Sequence, residues 1–187
     1  SASVYLESLK TSYQVLELTN KLPVPFVHAY KTPETLGVDR IALVSGALKS
    51  FSDTAVLVID AGTCVTYEFV DAEQTYYGGA ISPGLRMRYK AMHTFTENLP
   101  LLESSSDIKL TGGTTSESMH SGASLGLIFE IEAYISQYKE QNPDLKVILT
   151  GGDAEFLRDY IKSDIFVNSN LLLEGLLHIL NYNKEIS

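Results

Sequence analysis

The sequence predicts a mixed-sheet α/β fold, and three observations carry that prediction. Residues 55–60, 64–70 and 75–81 read as consecutive strands of a meander. Helical and strand patterns then alternate from about residue 85 to the end of the chain. Two of the strands run into glycine turns, Asp60-Ala61-Gly62-Thr63 and Gly151-Gly152-Asp153. Ligands of such sheets gather at strand carboxyl ends.

The elements follow in order. Ser3 suits the N-cap of a helix over about 5–19, stopped by Pro23 and Pro25. Phe26 to Tyr30 reads as a short strand and 31–36 as a loop. After Gly37 and Val38, the apolar positions Ile41, Val44, Ala47, Leu48 and Phe51 are spaced by three and four, which marks one face of a helix. Asp39 and Arg40 therefore open that helix, where free N–H groups favour anions. The turn 71–74 joins the second and third meander strands, and Gly78-Gly79 and Ser82-Pro83-Gly84 close the unit. A helix over 85–96 follows, then a polar linker over 99–114, expected to be mobile. A long helix spans about 115–140, with Gly122 and Gly126 on one close-packing face. A strand at 146–150, a helix at 153–162, a strand at 165–167 and a helix at 170–182 complete the order.

Composition narrows the function. An apolar content of 44% supports a sizeable core. The net charge of -9 argues against a nucleic-acid surface, which needs a basic footprint. Arg40, Arg86, Arg88 and Lys90 still leave room for a local anion pocket. Cys64 is the single cysteine, so no intrachain disulfide forms, which fits a reducing, cytoplasmic setting. It reads as a small buried apolar residue rather than a nucleophile. None of the four histidines has zinc-ligand spacing. No apolar run approaches the about 20 residues that span a bilayer. The start of the chain lacks a signal-like pattern, and it opens on Ser1 rather than Met, which suggests a processed or truncated product.

Five short motifs carry the chemistry: Gly37-Val38-Asp39-Arg40; Asp60-Ala61-Gly62-Thr63; the stretch from Gly78 to Gly84; the stretch from Thr115 to Gly122; and Leu149-Thr150-Gly151-Gly152. Small residues at a strand end let a phosphate approach the backbone, a carboxylate can hold a cation, and a hydroxyl can donate to an oxygen. Taken singly, each has a plainer reading: a glycine turn at 60–63, an exposed ion pair for Arg40, helix capping for Asp39 and Thr115, a half-buried strand residue for Tyr30. In this order and spacing the five resemble type III pantothenate kinases, members of the acetate and sugar kinase, heat-shock-protein-70 and actin superfamily. The segment Asn170 to Leu176 is similar to that family's closing helix.

The resemblance implies an actin-like, ribonuclease H-like ATPase fold with the first lobe incomplete: 1–52 as the remainder of the N-terminal lobe and 53–187 as the C-terminal lobe. It implies ATP-dependent phosphorylation of pantothenate, the first step towards coenzyme A. Asp39 would be the general base for the attacking hydroxyl. Tyr30, Gly37, Val38, Asp39, Arg40 and Thr115 would contact pantothenate, with Thr115 reaching across a homodimer interface. Thr63 would contact ATP, and Asp60 would bind a monovalent cation, potassium or ammonium, alongside the Mg2+ of the nucleotide. The family's opening Asp-x-Gly-Asn-Thr motif has no counterpart here, so a fragment with little activity alone is expected. The competing readings are a non-catalytic regulator of the Bvg accessory factor type on the same fold, and a different sugar or acid kinase of the superfamily.

Overall fold

The protein is described here by a computed structural model covering residues 7–186. Its centre is a six-stranded sheet in the order β1-β4-β3-β2-β5-β6. The strands are β1 (Val27–His28), β2 (Val56–Ala61), β3 (Cys64–Val70), β4 (Thr75–Pro83), β5 (Lys146–Thr150) and β6 (Phe166–Val167). The meander pairs β2 with β3 and β3 with β4 antiparallel, whereas β5 joins β2, and β6 joins β5, in parallel. Strand β1 adds in parallel to the outer edge of β4, so the segment before residue 53 shares the sheet with the rest.

Side chains along β2 alternate between two helical layers, as the period of two requires. Leu57, Ile59 and Ala61 face a core with Tyr67, Leu127, Ile131 and Leu149. The helices on that side are α2 (Leu85–Thr94), α3 (Thr115–His120) and α4 (Gly126–Gln141), the last two joined by a π turn over Ser121–Leu125. Val56 and Val58 face the other side, against Leu43 and Ala47 of α1 (Val38–Ser50) and Leu171 of α6 (Leu171–Glu185). Both faces of β2 are dry, which explains its unbroken apolar run. The short α5 (Ala154–Arg158) follows β5.

Several expected boundaries change. The first helix is described only over 7–10, and Ser3 lies outside the described residues. Thr11 Oγ1 donates to the Ser8 carbonyl, a local bond that competes with helix continuation. Beyond it, Leu18, Leu22 and Val24 pack without helix against Ile179 and the core beneath α1. The helix expected at 153–162 stops at Arg158. The linker 99–114 has no helix or strand but is tethered: Leu102 and Ile108 pack on the core, and Tyr160 Oη donates to the Ser106 carbonyl at 3.0 Å. Cys64 opens β3 half-buried rather than buried. Among the described residues no helix is long and apolar enough to cross a membrane.

Helices α1 and α6 cross where Gly46 and Gly175 face each other. A Cβ on Gly46 would strike the Leu171 carbonyl, and one on Gly175 the Ala42 carbonyl. Both obstacles are backbone and cannot swing aside, so the substitution forces the helices apart. Gly175→Ala is expected to destabilise the protein by about 1–3 kcal/mol, seen as a lower midpoint in urea denaturation with an unchanged m-value.

Candidate functional site

The start of α1 is fastened to the sheet by one buried ion pair. Glu68, on β3, has no exposure, and Arg40 retains 7%. Arg40 Nε donates to Glu68 Oε1 at 2.7 Å and Nη2 to Oε2 at 2.8 Å, a two-pronged contact. Tyr76 Oη on β4 donates to Glu68 Oε2 at 2.5 Å. Burial opposes the charge of Arg40, but its hydrogen bonds to Glu68 and that carboxylate's charge prevail and raise its pKa. The Arg40 guanidinium lies over the Tyr30 ring at 5.5 Å, and Tyr30 stacks on Tyr76 at 6.0 Å. Tyr30 also packs on Gly78, whose φ of 94° and missing Cβ admit the ring.

This fastening aims Asp39 outwards. Gly37 occupies the N-cap position, and Asp39 sits exposed in the first turn with Oδ1 accepting from the Arg40 N–H at 2.9 Å. Asp60, next to last in β2, lies on the same face of the sheet as Val56 and Val58, opposite Thr66 of β3 and Thr150 of β5. Burial, then the charges of Asp39 and Glu68, raise the Asp60 pKa. The Asp39 charge is therefore felt at Asp60, and the two carboxyls share one side of the sheet. Thr66 Oγ1 is buried there with no hydrogen-bond partner. Such an orphan calls for a partner that the protein does not supply.

Beyond Asp60 the chain turns through Gly62 and Thr63, with Gly62 N–H donating to the Cys64 carbonyl at 2.9 Å. A cavity of about 520 Å³ opens at this turn, lined by Gly62, Thr63, Arg86, Lys90, Gly152 and Asp153. It lies where β2 and β5 end, as the strand-end glycine turns predict. Gly151, at φ 95°, lies so close to Asp60 that a Cβ would strike its Oδ1.

The profile of the type III pantothenate kinase family matches residues 3–137. The chain belongs to the type III pantothenate kinase family. A relative of that name from Christiangramia forsetii is 48% identical over 95% of this chain and 73% of its own length. Another, from Flavobacterium psychrophilum, is 51% identical over 86% of this chain and 66% of its own. The chain thus spans about two thirds to three quarters of the length of these curated relatives. A crystal structure from Campylobacter jejuni, described as of the Baf family of transcriptional activators, aligns with a TM-score of 0.60 at 22% identity, covering 96% of this chain and 78% of its own. That likeness concerns the fold alone, a mixed-sheet α/β architecture.

Measured against the residues singled out in the sequence, the structure gathers Tyr30, Gly37, Val38, Asp39, Arg40 and Asp60 on the α1 side of the sheet. Thr63 lines the cavity at the strand ends. Thr115 stands apart, exposed, on the helix that continues into the α4 layer across the sheet. It does not cap that helix: Thr114 does, in a capping box with Glu117. Arg40 is held by Glu68 rather than lying in a surface ion pair. Sequence reasoning passed over Glu68, Tyr76 and Thr66. A carboxylate among apolar residues in a meander strand was the available signal, since a buried charge requires a partner.

Two outcomes follow for this site. Glu68→Ala leaves Arg40 buried and unpaired and should cost about 3–5 kcal/mol of stability, measurable by urea denaturation. The ionised Asp60 opposes folding at neutral pH, and that penalty fades as pH falls through its raised pKa. Asp60→Asn should therefore raise Tm at pH 7–8 in cation-free buffer, by roughly 2–4 °C for each about 1 kcal/mol relieved, and the gain should shrink on acidification.

Proposed function

We propose that the chain performs ATP-dependent phosphorylation of pantothenate, the opening reaction of coenzyme A biosynthesis, with Asp39 as general base. The observation that carries this reading is the exposed Asp39 carboxylate, held in the first turn of α1 by the buried Arg40–Glu68 pair, on the same side of the sheet as Asp60. An alcohol is a weak nucleophile, and a fixed carboxylate within reach can take its proton as the bond to phosphorus forms. Gly37, Val38 and Arg40 flank Asp39 in the chain, Tyr30 lies against Arg40, and the four would hold pantothenate. Arg40 keeps N–H groups beyond the two that Glu68 engages.

Thr63 would meet the ATP phosphates at the cavity mouth. Among the described residues no group of three or more His, Cys, Asp or Glu is poised to hold a metal ion. The Mg2+ that accompanies ATP would then be held chiefly by phosphate oxygens. Asp60, with the orphaned Thr66 Oγ1 beside it, offers one carboxylate and neutral oxygens. That donor set suits a weakly held potassium or ammonium ion, which would offset the negative charge shared by Asp39 and Asp60. Thr115 lies across the sheet from Asp39, so its contact with pantothenate would come from a second copy in a homodimer. A kinase drawing on soluble ATP and pantothenate suits the cytoplasm. A purely regulatory role has no use for an exposed base beside a cation-ready carboxylate.

The Asp39→Asn variant should lose about 10²–10⁴-fold in kcat while binding pantothenate with near-unchanged affinity by calorimetry. Full turnover in that variant would defeat the assignment of Asp39.

A further inference from the structure

The chain has four arginines, and three contact carboxylates: Arg40 with Glu68, Arg88 with Glu130, and Arg158 with Glu155 and Asp159. Arg86 forms no ion pair among the described residues, and neither does Lys90, one helical turn further along α2. Both are exposed, and both line the 520 Å³ cavity beside Gly62 and Thr63. Like charges four residues apart on a helix repel each other. In a chain of net charge -9, two uncompensated cations on one cavity wall mark a site for an anion.

We propose that Arg86 and Lys90 are the receptor for the terminal phosphates of the nucleoside triphosphate, an inference that rests on the kinase reading above. Their placement is built in. A Cβ on Gly84 would strike the Gly62 and Thr63 carbonyls, so glycine alone lets α2 begin against the turn. The Gly84 N–H donates to the Thr63 carbonyl at 3.1 Å. Arg88 sets the rotation of α2: Nε donates to the Pro83 carbonyl at 2.9 Å, and Nη2 donates to Ser82 Oγ at 2.9 Å and Glu130 Oε2 at 2.5 Å. Glu130 is itself fixed by the Tyr67 hydroxyl at 2.9 Å. With Arg88 held on that side, Arg86 and Lys90 face the cavity.

The cavity has the size range of small-molecule sites. A side chain at Gly152 would meet nothing within 4 Å, so the rim is open. Asp153 shares the lining. Burial raises its pKa, against the pull of the Arg86 charge, but the two form no ion pair. Two cations against one carboxylate leave the wall positive. The planar guanidinium can grip two phosphate oxygens at once, and the lysine adds a point charge.

Calorimetric titration of the chain with Mg-ATP, Mg-ADP, adenosine and 4'-phosphopantothenate tests this. Arg86→Ala should weaken ATP and ADP about tenfold and leave adenosine unchanged. Arg86→Lys should fall between, Lys90→Ala should add a further loss, and Lys49→Ala, which removes a charge from α1, should change nothing. Weakened phosphopantothenate binding with unchanged ATP would overturn the nucleotide assignment. Equal losses for adenosine and ATP, or no ATP binding by the unaltered chain, would overturn it as well. An unaltered chain that binds ATP in an Arg86-dependent way yet does not bind pantothenate would sink the kinase reading and uphold the receptor.

Discussion

A carboxylate with no access to water must be met by a cation, and in this protein Glu68 and Arg40 meet across the boundary between α1 and the sheet. Two charges out of water are costly to assemble and costlier to separate. The pair therefore acts less as a source of stability than as a locating pin. It sets where the first turn of α1 lies over β3, and with it the direction of Asp39. The same carboxylate orders Tyr76, and Tyr76 with the guanidinium brackets the Tyr30 ring. One buried group thereby positions Asp39 and Tyr30, two residues assigned to pantothenate in the proposed reaction.

The sheet divides the chemistry between its end and its face. Asp39 and Asp60 lie on the α1 side of the sheet, where the charges of Asp39 and Glu68 add to burial in raising the Asp60 pKa. The Thr63 turn and the basic side of α2 lie at the end of β2, where cations accumulate. A reaction that moves a phosphoryl group between an anionic nucleotide and a deprotonating alcohol needs both fields close together, and the short stretch from Asp60 to the Gly62-Thr63 turn links them. The π turn between α3 and α4 sits behind this arrangement, where Tyr89 Oη is within 2.8 Å of His120 Nδ1 and 3.1 Å of Ser124 Oγ.

Much of this was legible in the residues. The meander, the helix after Gly37 and the glycine turns announce themselves by period and punctuation, because both faces of the central strands are buried and the turns admit few side chains. The extended course of 14–24 was hidden because leucines that look helical in isolation are claimed by α6. The partner of Arg40 was hidden for a different reason: Glu68 is 28 residues away, and pairing across a helix and a sheet leaves no local signature. Thr114 rather than Thr115 caps α3 because Glu117 stands three residues after Thr114, the capping-box spacing.

The glycine crossing of α1 and α6 joins segments that are far apart in the chain. During synthesis the ribosome releases α1 and the whole meander long before α6 exists to cover Leu43 and Ala47. Contacts of such long sequence separation form late and slow the search for the native state. The apolar underside of the helix that carries Asp39 thus stays uncovered through most of translation, an interval in which holdase chaperones would find it.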